Sequence, residues 1–103
     1  EGASMIIEIT KAMITVDVNS VGGVSSALNI NLKAAEVLPK ELRLRGLGGQ
    51  VVIDFIPMPK NLRKKIDVAL SKAFKIDSVE SSLVGWTQMG LFELQRKRER
   101  VQL

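Results

Sequence analysis

The chain has 103 residues, 46% of them hydrophobic and 25% charged, with a formal net charge of +4 and an isoelectric point near 9.7. That length fits one domain around one core, burying roughly 60–70% of its unfolded surface, and the mild basicity suits a polyanionic partner without requiring one. Cysteine and histidine are both absent, which excludes disulfides, thiolate metal sites and the commonest general base, so catalysis would have to run on carboxylates, lysine or a hard metal ion. No apolar run approaches the ~20 residues of a membrane span, and the first residues lack a signal-peptide pattern.

Met5 to Thr10 alternates, with Met5, Ile7 and Ile9 on one face and Glu8 and Thr10 on the other. Thr10-Lys11 is the expected connection into a second strand, Ala12 to Asn19, giving an antiparallel hairpin. On that second strand Ile14, Val16 and Val18 share one face, and Asp17 and Asn19 share the other. Val21-Gly22-Gly23-Val24 reads as a loop, after which Ser25 or Ser26 can cap a helix.

The first helix carries Leu28, Leu32, Ala35, Leu38 and Leu42 on one stripe. Pro39 lies inside it, and because Leu42 keeps the phase the spacing predicts a kink or two collinear helices, not an end. Gly46, Gly48 and Gly49 stop it, with Arg43 and Arg45 placed to favour its C-terminal dipole. Val51 to Ile56 follows as the central strand. So apolar a run predicts an interior strand covered on both faces, with Asp54 a costly buried charge in need of a partner. Strand, helix, strand is a crossover unit, so the strands carrying Asp17 and Asp54 are expected to be parallel and in one sheet.

Pro57 and Pro59 end the central strand and launch a second helix, Lys60 to Lys75, with the stripe Leu62, Ile66, Ala69, Leu70, Ala73 and Phe74. A polar patch from Asp77 to Ser82 leads to a short strand, Leu83 to Trp86. Gln88-Met89-Gly90 turns into a last strand, Leu91 to Gln95, before the basic run Arg96 to Arg100. The predicted fold class is α/β, with α+β as the alternative: a mixed sheet of about five strands in β-β-α-β-α-β-β order with two main helices.

Ligands of parallel sheets gather at the carboxyl ends of the strands, where Asp17 and Asp54 both fall. Two like charges ~4 Å apart repel by about 4 kcal/mol at an effective dielectric of 20, and a bound cation reverses the sign. With oxygen ligands only, the matching ion is hard, and Mg²⁺ is commonly held by one or two carboxylates plus water. Such an ion can activate water and stabilise charge on a phosphodiester. The simpler alternative leaves Asp17 as a loop cap and pairs Asp54 with Arg43 or Arg45. Lys60, Arg63, Lys64 and Lys65 are either a solvated helix face or phosphate contacts, and the denser run of Arg96, Lys97 and Arg98 could follow a nucleic-acid backbone. Trp86 and Phe92 are either core residues or faces for base stacking.

Several words in fixed order carry a family resemblance: Ile14-Thr15-Val16-Asp17-Val18-Asn19-Ser20, Leu28-Asn29-Ile30-Asn31-Leu32-Lys33-Ala34-Ala35, Leu42-Arg43-Leu44-Arg45-Gly46-Leu47-Gly48-Gly49 and Val52-Ile53-Asp54-Phe55-Ile56. Met89-Gly90-Leu91-Phe92-Glu93-Leu94 and Arg96-Lys97-Arg98 follow them. Over nearly its whole length the chain resembles the deoxyribonuclease-I-like subdomain of the bacterial ribonuclease E/G family. The resemblance implies a cytoplasmic, Mg²⁺-dependent endoribonuclease that cuts single-stranded RNA by attack of metal-activated water and leaves a 5′-phosphate. It implies that Asp17 and Asp54 hold the magnesium and that Asn19 assists in positioning; from their charge and position alone, Lys60, Arg63, Lys64, Arg96, Lys97 and Arg98 are the expected RNA contacts.

Departures from the family pattern lie around that site. The loop after Asn19-Ser20 is short, Pro57 stands where an acidic residue is usual, Glu80 lies in a normally basic patch, and Gln88 replaces an Arg or Lys. Residues 1–103 are expected to form one subdomain of a longer ribonuclease, or a reduced relative, lacking the family's S1 and 5′-end-sensing regions and its zinc-linking cysteine pair. Expected partners are RNA together with further copies or other subdomains. The alternative function is a non-catalytic RNA-binding or subunit-assembly module.

Overall fold

Alternating apolar residues at the start of the chain fold as a hairpin. The computed structural model describes residues 3–20 and 26–98, beginning with β1 (Ala3–Ile9) paired antiparallel to β2 (Ile14–Ser20). The tip lies one residue beyond the predicted connection. Thr10 closes it with its backbone N–H and its Oγ1 donating to the Met13 carbonyl at 2.8 and 2.7 Å, leaving Lys11 and Ala12 at the turn. The predicted loop Val21–Val24 and the candidate cap Ser25 lie outside the described residues.

Helix α1 runs from Ala27 to Leu44, capped by Ser26, whose Oγ accepts from the Asn29 N–H at 3.1 Å. It continues through Pro39 as a single helix, since Leu38, Pro39 and Leu42 are all held in the core. Its end is a Schellman motif, with Leu47 N–H donating to the Leu42 carbonyl at 2.9 Å and Gly46 N–H to that of Arg43 at 3.1 Å. Gly46 supplies the left-handed φ of +66° that this motif needs.

Strand β3 (Gly49–Asp54) returns parallel to β2, as the crossover predicts. A short 3-10 turn (Lys60–Leu62) leads into α2 (Arg63–Ile76), followed by β4 (Ser81–Trp86) and β5 (Phe92–Arg96). The five-stranded mixed sheet has the order β1-β2-β3-β5-β4. The predicted class and element order are those observed.

Both helices lie on one side of the sheet. Ile14, Val16, Val18, Val51, Ile53, Phe92 and Leu94 point toward Ile30, Leu38 and Leu42 of α1 and Ile66, Leu70 and Phe74 of α2, forming one core. The opposite face has no such cover among the described residues. Ile6 and Val84 are 51% and 64% exposed there, and Asp17, Gln50 and Asp54 are exposed beside them. The expectation that β3 is covered on both faces is therefore corrected. Val51 and Ile53 face the core while Gln50, Val52 and Asp54 face outward, so Asp54 pays no penalty for burial.

Two polar devices hold this frame. Asn31, fully buried on α1, donates through Nδ2 to the Ile56 carbonyl at 2.9 Å and accepts the Ile56 N–H at 3.0 Å. It ties the helix to the chain leaving β3. Arg96 is 2% exposed at the end of β5. Its Nε and Nη2 donate to Asp77 at 2.7 and 3.1 Å, and its Nη1 donates to the Leu47 carbonyl at 2.7 Å.

Candidate functional site

Parallel pairing sets the central geometry. Val16 is opposite Ile53 and Asp17 is opposite Asp54. Because Val16 and Ile53 both point into the core, their successors both point out on the open face. Neighbouring strands lie about 4.8 Å apart, so the two carboxylates share one rung, at the carboxyl end of β3 and midway along β2. Asn19, two residues on and on the same face, places its Nδ2 3.5 Å from Asp17 Oδ2.

No basic side chain neutralises this rung among the described residues. Arg43 pairs with Asp77 at 3.6 Å and Arg45 with Glu41 at 3.5 Å, so neither takes up Asp54 as the simpler alternative required. No third carboxylate joins the pair closely enough to make a larger acidic cluster among the described residues. Two carboxylates and one amide, on an exposed face open to water, fit a hard cation that keeps part of its hydration shell. They do not make a closed protein cage.

The predicted basic residues divide between the two ends of the sheet. Lys60 and Lys64 are exposed on the 3-10 turn and the first turn of α2, beyond the carboxyl end of β3. Arg63 is half-buried, and it lines a cleft of about 190 Å³ with Asp54, Pro57, Met58, Trp86 and Met89. Lys97 and Arg98 are exposed at the other end, where Arg98 borders a second cleft with Lys11 and Gly48. The length of β3, roughly 16 Å at the ordinary rise per residue, separates them from Asp54. Arg96 is corrected outright, because an arginine buried against Asp77 has no surface to offer a nucleic acid.

Around Asp77, burial pushes the carboxyl pKa up, but the Arg96 guanidinium, the Val79 N–H and the Arg43 charge together hold it below its ordinary value. Sequence reasoning missed this pair, and also the setting of Trp86. Trp86 Nε1 donates to Asp67 Oδ1 at 2.7 Å, and its ring packs on Phe55 and Phe92 with centroids 5.7 and 5.3 Å away. Arg63 lies over the ring at 4.7 Å. Phe92 is core, as its burial shows. For Asn31 a signal was present: it stands in phase with Ala35, Leu38 and Leu42 on the buried stripe of α1.

The fold is a two-layer α/β arrangement whose open sheet face carries the Asp17–Asp54 rung. The chain belongs to the ribonuclease E/G family, whose model matches residues 1–99. Ribonuclease G of Salmonella typhimurium (strain SL1344) is 38% identical over 106 aligned residues, covering 96% of this chain. Ribonuclease G of Haemophilus influenzae is 38% identical over 99% of the chain, and ribonuclease E of Escherichia coli (strain K12) is 36% identical over 94%. The chain spans 22% of the length of these ribonuclease G relatives and 10% of that of the ribonuclease E. Among the described residues, no helix is long and apolar enough to cross a membrane.

Proposed function

We propose that this chain carries the ion-binding part of an endoribonuclease acting on single-stranded RNA in the cytoplasm, with Asp17 and Asp54 as ligands of Mg²⁺ and Asn19 as the residue that orients Asp17. The observation that carries the reading is the single rung shared by Asp17 and Asp54, reinforced by the family and by the names of its relatives. A divalent ion there would act as a Lewis acid toward a phosphodiester and make a water molecule nucleophilic near neutral pH. The chain's own contribution is positional. Strand pairing sets the spacing of the carboxylates, Asn19 restrains the rotation of one of them, and Lys60 and Lys64 present positive charge to an approaching backbone.

Titration with Mg²⁺ or Mn²⁺ tests the reading. Saturable binding is expected, weakened at least tenfold by Asp17→Asn and by Asp54→Asn. Affinity unchanged in Asp54→Asn would sink it.

A further inference from the structure

Arg63 and Asp67 stand one turn apart on α2, the spacing at which an arginine and an aspartate commonly pair. Here they do not. The Asp67 carboxylate accepts the indole N–H of Trp86 at 2.7 Å, while the Arg63 guanidinium carbon lies over the same indole, 4.7 Å from its centroid. Trp86 is itself wedged by Phe55 and by an edge-on Phe92. Arg63 is thus held by the indole ring, and its N–H groups make no hydrogen bond or ion pair to any described residue. Arg63 borders the cleft that Asp54 also lines. The turn before β5 passes close beside it, such that a Cβ on Gly90 would sit 3.3 Å from Arg63 Nη2.

We infer that this cleft is a backbone-phosphate subsite for single-stranded RNA, with Arg63 as the phosphate ligand and Trp86 as the positioning residue that holds it. The inference rests on the reading of the Asp17–Asp54 rung as the place where RNA is bound. A guanidinium held over an aromatic ring keeps its charge, and donors that no protein group engages remain available as a fork that matches two phosphate oxygens. The ring face on which a base would stack is the one Arg63 covers, which favours phosphate over base as the occupant. Asp67 keeps the arrangement in place because its carboxylate is engaged by the indole and does not draw Arg63 away.

Binding of a single-stranded decaribonucleotide, measured in EDTA across a range of salt, tests the assignment without any metal. Arg63→Gln is expected to weaken binding about five- to tenfold and to lower the log-affinity against log-salt slope by about 0.7, the share of one phosphate on a single strand. Arg63→Lys should retain that slope. Trp86→Phe frees the Asp67 carboxylate to capture Arg63, so it should mimic Arg63→Gln, and adding Asp67→Asn should restore the slope. An unchanged slope in Arg63→Gln overturns the assignment, whether affinity is kept or lost, since packing or base stacking would leave the slope intact. Ion titration of Asp54→Asn reads the underlying carboxylate site separately, so failure of one reading is distinct from failure of the other.

Discussion

Asp17 and Asp54 occupy opposite positions on one rung of the parallel β2–β3 ladder, with no cation beside either among the described residues. Like charges directly across a sheet are destabilising. In EDTA, Asp54→Asn is therefore expected to raise the melting temperature by roughly 1–3 °C. In excess Mg²⁺ the order should reverse, because an ion that binds only the folded state stabilises it by about 1.4 kcal/mol at ten times its dissociation constant. Thermal melts of both proteins, with and without the ion, give the comparison. A variant that is less stable than the parent in EDTA would mean that the rung is not repulsive.

The buried Asp77–Arg96 pair behaves in the opposite way, because its charges already compensate each other. Removing one partner strands the other, so Asp77→Asn should cost about 3–5 kcal/mol, measured by urea unfolding. Replacing both, as Asp77→Leu with Arg96→Met, should cost less than that single change. The pair also has a pH signature. The Asp77 carboxyl is held below its ordinary value of 3.8 in the folded state, so its contribution is complete well above that value. It is lost as the pH falls through the lower folded value. The stability of the parent relative to the double variant should be highest near neutrality and fall toward strong acid, as seen in melts from about pH 7 to pH 2.

How far these features were legible in the sequence depended on periodicity. The alternation Thr15, Asp17, Asn19 against Ile14, Val16, Val18 marked both faces of β2, and the crossover rule then placed β3 alongside it. In β3 the run Val51-Val52-Ile53 hides the alternation, because Val52 is an apolar residue on the open face, opposite Thr15 on β2 and Glu93 on β5. That is why Asp54 read as buried. Arg96 was mistaken for surface because its neighbours are Lys97 and Arg98, although it stands in the inward phase of Phe92 and Leu94. Its partner Asp77, like Asp67 for Trp86, lies 19 residues away. No local pattern announces a contact over that distance.

Asn31 links the core to the candidate site. Both polar atoms of its amide are spent on the backbone of Ile56, two residues past Asp54. Asn31→Leu is close to isosteric but leaves a buried N–H and carbonyl unsatisfied, at about 1–3 kcal/mol each. A loss of roughly 3 kcal/mol is expected. Since Ile56 and Met58 form one wall of the Asp54 cleft, divalent-ion affinity should fall as well, under conditions where the variant remains folded. Unchanged stability by denaturant titration would show that water replaces the amide.

Gly46 and Gly48 are both required, for different reasons, and substitution separates them. Gly46 holds a left-handed φ of +66° with nothing within 4 Å of an added Cβ, so Gly46→Ala should cost only the conformational penalty of about 1–2 kcal/mol. At Gly48 the obstacle is contact. An added Cβ would lie 2.8 Å from the Lys97 carbonyl oxygen and 2.9 Å from the Arg98 Cα, both backbone atoms that cannot turn aside as a side chain can. Overpacking of this kind commonly costs 1–3 kcal/mol or more, and here it would push the end of β5 away from β3 and loosen the Arg96 bond to the Leu47 carbonyl. Gly48→Ala should therefore melt lower than Gly46→Ala by roughly 5 °C or more. Gly46→Asn, which tolerates the left-handed region, should recover part of the first loss, and no small side chain should recover the second. Melting temperatures in the reverse order would show that β5 yields easily at this point.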